Sequence, residues 1–100
     1  MVIEIAVHDK NMYAQYIEEV YPIVKKYGGT YLVRTENVAP ITGNWHPERI
    51  IILRFKSITA LQRCFQSAEY TRISHLREDS TTSKAIIVDG YPSLKPVGAP

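Results

Sequence analysis

The chain has 100 residues, 45% of them hydrophobic and 22% charged, with a formal net charge of +2. This composition is typical of one globular domain, excludes a disordered chain and gives no reason to expect a nucleic-acid or membrane partner. No apolar run approaches the roughly 20 residues that span a bilayer. The N-terminal MVIEIAV also lacks the pattern of a signal peptide. We therefore expect a cytoplasmic protein in which the single cysteine, Cys64, is a packed, inert thiol.

The first half of the chain predicts a strand, a helix and a second strand. Val2–Val7 is apolar and β-branched, as strands are. Asp9 then fits the N-cap of a helix that ends at Gly28 and Gly29. Residues 30–36 predict the second strand. The helical stripe, with Tyr16 beside it, comprises Tyr13, Ile17, Val20, Val24 and Tyr27. Because Pro22 removes a backbone N–H, we expect a kink or break near residues 20–21.

The second half predicts two further strands and a second helical region. Residues 37–46 are rich in turn formers, and residues 48–55 contain the run IIIL, which is typical of a strand covered on both faces. Ser57 and Ser67 fit the N-caps of two helical pieces, and residues 84–89 predict the fourth strand. The expected face of the first piece is Ile58, Leu61, Phe65 and Ala68, and the second piece carries Tyr70, Ile73, Leu76 and Arg77. Residues 91–100 predict a Pro/Gly-rich tail after a single domain of residues 1–90.

The resulting order, β-α-β-β-α-β, predicts an α+β fold with a four-stranded antiparallel sheet and both helices on one face. Strands one, three and four are apolar at nearly every position, yet the helices cover only one side. A second copy of the chain is the economical cover for the other face. We therefore predict a homodimer that packs sheet against sheet.

Arginine and aromatic residues cluster around the second and third strands. Arg34, Trp45 and Arg49 together could form a small cationic pocket for a carboxylate or enolate, because guanidinium groups hold such anions in bidentate fashion. The alternative is that Trp45 plugs the sheet end and the arginines pair with Glu36, Glu48 or a partner chain. Tyr13 and Tyr16 face the sheet, and each hydroxyl could either contact a ligand oxygen or be tied to backbone.

Other kinds of site have little support in the sequence. The three histidines, His8, His46 and His75, do not have a recognised metal-ligand spacing. The third strand lacks the aromatic residues on which RNA-recognition domains stack bases. The sequence also lacks a glycine-rich loop of the kind that binds phosphate. We therefore predict no bound metal and no cofactor.

The blocks GGTYLVR, GNWHPERIIILRF, SAEY and SKAIIVDG, with YxxY in the first helix, resemble the family called domain of unknown function 1330. The resemblance covers about residues 2–90. It implies membership of the dimeric α+β barrel superfamily, in which ferredoxin-like chains pack sheet against sheet and the pocket lies between helices and sheet. If the pocket of this chain lies where it does in the superfamily, the resemblance implies that the ligand-binding candidates are Tyr13, Tyr16, Arg34, Trp45, Arg49 and Arg77. Ser57 departs from the family, where a proline is common.

Two functions follow as hypotheses. The first is a dimeric binder or small enzyme that acts on a carboxylate- or carbonyl-bearing metabolite, with any catalysis limited to proton transfer or cofactor-free oxidation. The second is a non-catalytic interaction or assembly module without a ligand, in which the arginines form interface ion pairs. A polar-lined cavity of a few hundred Å³ would favour the first, and a filled core with paired arginines would favour the second.

Overall fold

The computed structural model describes residues 1–91 and has the ferredoxin-like α+β fold expected from the sequence. The strands form one antiparallel sheet in the order β2-β3-β1-β4. Three helices occur in the described part, and none of them is long and apolar enough to cross a membrane. The elements are β1 (Val2–Val7), α1 (Lys10–Lys26), β2 (Thr30–Thr35), β3 (Arg49–Arg54), α2 (Ile58–Phe65), α3 (Ala68–Ser80) and β4 (Thr81–Ile86).

Helix α1 begins where the sequence predicts and continues through its proline. The Asp9 carboxylate accepts a hydrogen bond from the backbone N–H of Met12, which caps the first turn. The break expected near residues 20–21 is wrong, because α1 runs unbroken past Pro22. Glu18 and Pro22 are both exposed, so the carbonyl that loses its helical partner lies on the face open to water. Buried side chains before and after Pro22 hold the helix to the sheet.

The predicted positions of β4 and of the buried face of α2 need correction. Strand β4 is Thr81–Ile86, three residues earlier than the predicted 84–89, and it follows α3 without a loop. The apolar run AIIV suggested the later position, but pairing with β1 begins at Thr81, and the apolar residues after Ile86 are exposed. On α2, Leu61 and Cys64 are buried, whereas Ile58 is 47% exposed.

The core lies between the helices and one face of the sheet. The sheet contributes Ile5, Ile51 and Leu53, and α1 contributes four side chains at helical spacing. The buried core members are Ile5, Tyr13, Tyr16, Val20, Val24, Ile51, Leu53, Phe55, Leu61, Cys64, Tyr70, Ile73 and Leu76.

The opposite face of the sheet is less apolar than the sequence suggested. Ladder pairing places Val2 between Ile52 and Ile86, forming one apolar row on this outer face. The next row contains Glu4 with Lys84 and Ile50 as its neighbours, and is therefore partly charged. Because β4 is TTSKAI rather than an apolar run, it adds less apolar surface to the outer face than the predicted strand would.

A prediction concerns the turn between α1 and β2. Gly28 has φ +84°, and Gly29 packs so closely that an added Cβ would lie 2.5 Å from Val24 Cγ1 and 2.8 Å from Phe55 Cζ. Gly29→Ala should therefore lower the free energy of unfolding by about 1–3 kcal/mol through overpacking, measured by urea denaturation. Gly90→Ala, where a Cβ would meet nothing within 4 Å, should leave stability unchanged. Equal midpoints for Gly29→Ala and the unmodified protein would contradict this packing.

Candidate functional site

A small cavity lies between the helices and the inner face of the sheet. Its volume is ≈ 30 Å³, enough for about one or two water molecules. Its wall is mainly aliphatic, with tyrosine and arginine as its polar members. The lining residues are Ile3, Ile5, Tyr13, Tyr16, Ile17, Val20, Val24, Tyr31, Arg34, Ile51, Leu53, Phe65 and Arg77. The structure thus brings four of the six candidate residues, Tyr13, Tyr16, Arg34 and Arg77, to one cavity.

The Tyr16 side of the cavity is a closed hydrogen-bond network. The hydroxyl groups of Tyr16 and Tyr70 are 2.9 Å apart, and Arg77 Nε donates to the Tyr70 hydroxyl at 3.1 Å. Arg77 also donates from Nη1 to Ser83 Oγ on β4 at 2.8 Å. Burial raises the pKa of Tyr16 well above its usual range, and the neighbouring Tyr70 raises it further. This network joins α1, α3 and β4 and satisfies the buried Tyr16 hydroxyl.

Around Tyr13 the polar groups are not satisfied. Tyr13 is only 4% exposed, yet its hydroxyl has no hydrogen-bond partner in the described structure, and neither does the buried Nε of Arg49. The Arg49 guanidinium carbon lies 5.3 Å from the centroid of the Tyr13 ring. Burial raises the pKa of Tyr13, whereas the positive charges of Arg49 and Arg34 lower it. The Tyr13 hydroxyl and the Arg49 Nε–H are therefore close neighbours, yet neither makes a hydrogen bond of good geometry, and an oxygen acceptor placed between them could receive one from each.

The two arginines of this cluster differ in their pairing. Arg49 Nη1 donates to Glu36 Oε1 at 3.0 Å, so one of the pairings expected for the arginines is present. Arg34 makes no ion pair with any described residue, and its guanidinium carbon lies 5.5 Å from the centroid of the Tyr31 ring. Glu48, the other expected partner, instead accepts a hydrogen bond from the backbone N–H of Val7.

Trp45 lies apart from the other candidates. Its indole Nε1 donates to Glu4 Oε1 at 3.0 Å, and its side chain is 58% exposed. Glu4 alternates with Ile3 and Ile5, which line the cavity, so Glu4 lies on the outer face of the sheet. Trp45 therefore contacts the face that the sequence assigns to a partner chain.

Sequence reasoning did not single out Tyr70, Tyr31 or Ser83 as site residues. Tyr70 and Arg77 are seven residues apart on α3, a spacing that places them on one helix face. That spacing was available from the sequence, whereas the contact of Ser83 with Arg77 depends on the position of β4. In the described residues, no three His, Cys, Asp or Glu side chains are grouped closely enough to hold a metal ion.

Comparison of the sequence with family models gives one decisive match. The model described as domain of unknown function (DUF1330) matches residues 1–91. The chain belongs to the DUF1330 family. No curated protein matches the sequence. Membership therefore confirms the resemblance seen in the sequence but carries no established activity.

Solved structures similar to this DUF1330 chain have the same fold. The crystal structure of RPA0582, a protein of unknown function from Rhodopseudomonas palustris, is 15% identical with a TM-score of 0.68, covering 85% of this chain and 78% of that chain. Methylated RPA0582 is 16% identical with a TM-score of 0.74, covering 98% and 79% of the two chains. At this level of identity the likeness supports the fold alone.

A prediction concerns Cys64, which is fully buried on α2. Burial raises its thiol pKa to about 11, so at pH 8 only about one molecule in a thousand carries the reactive thiolate. Iodoacetamide at pH 8 should therefore leave the folded protein unmodified over an hour. In 6 M guanidinium, where the chain is unfolded, it should add one label per chain, as measured by intact mass. Rapid labelling of the folded protein would contradict the buried position.

Proposed function

We propose that this DUF1330 protein is a homodimer in which each chain binds a small, partly apolar carboxylate- or carbonyl-bearing metabolite between helices and sheet. The observation that carries the proposal is the buried Tyr13 hydroxyl without a partner, next to the guanidinium groups of Arg34 and Arg49. The candidate ligand-contacting residues are Tyr13, Tyr16, Arg34, Arg49 and Arg77, whereas Trp45 contacts the outer face of the sheet and falls outside this site.

Energetics favour an acceptor oxygen at Tyr13. A buried hydroxyl without a partner costs about 1–3 kcal/mol relative to its hydrated state. A ligand oxygen would remove that cost, and the nearby guanidinium charges would strengthen the bond if the oxygen were anionic. Because burial raises the Tyr13 pKa, this hydroxyl stays protonated at neutral pH and can donate.

The small size of the cavity limits how a ligand would bind. A volume of ≈ 30 Å³ accommodates a carboxylate or carbonyl group but not a whole metabolite. Arg34 lines the cavity and is exposed, so its long, flexible side chain can move to admit the rest of a ligand. We infer that the polar group enters first and that the apolar part lies along the aliphatic wall.

The assembly module remains the competing function, since the cavity is far smaller than a few hundred Å³ and Arg49 is already paired. The state of Arg34 supports the ligand-binding function, because this arginine has no carboxylate partner among residues 1–91. An exposed arginine needs no partner in water, so the Tyr13 hydroxyl is the stronger of the two observations.

Binding can be tested with small carboxylates. Calorimetric titration with benzoate and hexanoate should show binding, and Tyr13→Phe and Arg34→Ala should each weaken it about tenfold, because each removes a donor worth roughly one hydrogen bond. Tyr91→Phe and Arg63→Ala, at exposed positions, are the matched controls and should bind as the unmodified protein does. No binding of any carboxylate in this panel would favour the assembly module.

The proposed dimer rests on the outer face of the sheet. Leu32 is the unpaired residue of a β-bulge in β2 and is exposed on β2. A groove of ≈ 660 Å³ lies next to this face, between the end of β3, the start of α2 and the residues that follow β4. Its exposed or half-buried apolar lining includes Leu32, Ile52, Ile87 and Val88. A second copy covering this surface would remove apolar area from water, at about 25 cal/mol per Å².

Sedimentation tests the assembly. At 10 µM the protein should sediment with the mass of two chains, and Ile52→Lys should give single chains, because it places a charge within the apolar row. Ala14→Lys, on the exposed face of α1, adds the same charge and should remain dimeric. A single-chain mass for the unmodified protein would overturn the dimer without bearing on ligand binding by one chain.

A further inference from the structure

Glu36 is the single described carboxylate that pairs with the guanidinium groups near Tyr13. β-Sheet pairing sets Thr35 opposite Ile50, so Glu36, one residue further along the chain, is level with Arg49 on the neighbouring strand. The contact is one hydrogen bond, from Arg49 Nη1 to Glu36 Oε1 at 3.0 Å. The chain thus supplies a carboxylate of its own at the place where the proposed ligand needs one.

The two partners differ greatly in burial. The Arg49 side chain is 14% exposed, whereas that of Glu36 is 74% exposed. Water solvates the exposed Glu36 carboxylate almost as well once it is released, so the cost of breaking this pair falls mainly on Arg49. Glu36 can therefore leave at small cost when another anion takes its place on Arg49, which stays in position.

The Glu36 contact also leaves donors unused. A guanidinium group offers its Nε–H and one Nη–H as a fork for a carboxylate. In this structure the Nε of Arg49 is buried without an acceptor, and the Tyr13 hydroxyl beside it is also unpaired. A carboxylate that reached these groups would gain hydrogen bonds that Glu36 does not make.

We propose that Glu36 is an internal competitor that holds Arg49 while the site is empty, and that the ligand is an apolar monocarboxylate that displaces it. This inference rests on the proposed function and assigns Glu36 as a residue that determines specificity. An uncharged ligand gains nothing from displacing Glu36, because the Arg49 guanidinium would then have no negatively charged partner. The carboxylate class is therefore preferred over its neutral analogues.

Glu36→Gln tests the competitor directly, with benzoate and the uncharged benzamide as probes of the full chain. The variant removes the competing charge and should bind benzoate about two- to fivefold more tightly, the range expected for loss of one ion pair whose carboxylate is solvent-exposed. Its affinity for benzamide should not change. Glu18→Gln makes the same charge change on the exposed face of α1 and should leave both affinities unaltered.

The outcomes separate the inference from the function on which it rests. Unchanged or weaker benzoate binding by Glu36→Gln, together with weaker binding by Tyr13→Phe, would overturn the competitor and leave the binding site standing. Tighter binding by both Glu36→Gln and Glu18→Gln would reduce the effect to net charge and also overturn the inference. Binding of neither probe by any of these proteins would overturn both proposals.

Discussion

Burial of two tyrosine rings on one face of helix α1 sets the polar chemistry of this fold. The rings of Tyr13 and Tyr16 pack at a centroid distance of 6.1 Å and take their hydroxyl groups into a mainly aliphatic interior. A buried hydroxyl needs a partner, and only Tyr16 has one, in Tyr70. The satisfied hydroxyl joins the helices, and the unsatisfied one marks where an acceptor is missing.

The same division explains why the two ends of the cavity differ in character. At the Tyr16 end, Arg77 donates to both Tyr70 and Ser83, so its Nε and one Nη1 donor are used within the fold. At the Tyr13 end, two cations are balanced by one exposed carboxylate, Glu36. A hydrogen-bonded arginine of the first kind is typical of structural polar networks. Incompletely paired cations of the second kind are typical of sites that bind an anion.

Much of this fold could be predicted from local sequence patterns, and the errors have physical causes. The caps at Asp9, Ser57 and Ser67 are local signals, and all three are present. β4 was misplaced because its position depends on pairing with β1 across the sheet, which overrides the local preference of an apolar run. The candidate site, too, could be predicted only in part. The face of Arg34 and the separation of Trp45 depend on strand register and loop path, and the bulge between Tyr31 and Val33 shifts the register in a way that local sequence patterns do not reveal.

The direct junction between α3 and β4 has a mechanical consequence for the cavity. Ser80 ends the helix and Thr81 begins the strand, and the Ser80 carbonyl accepts the backbone N–H groups of His8 and Asp9. With no loop to act as a hinge, α3 cannot lift away unless the β1–β4 ladder is disrupted. The α3–β4 side of the cavity is therefore firmly anchored, and widening is less costly near β2, an edge strand that pairs only with β3.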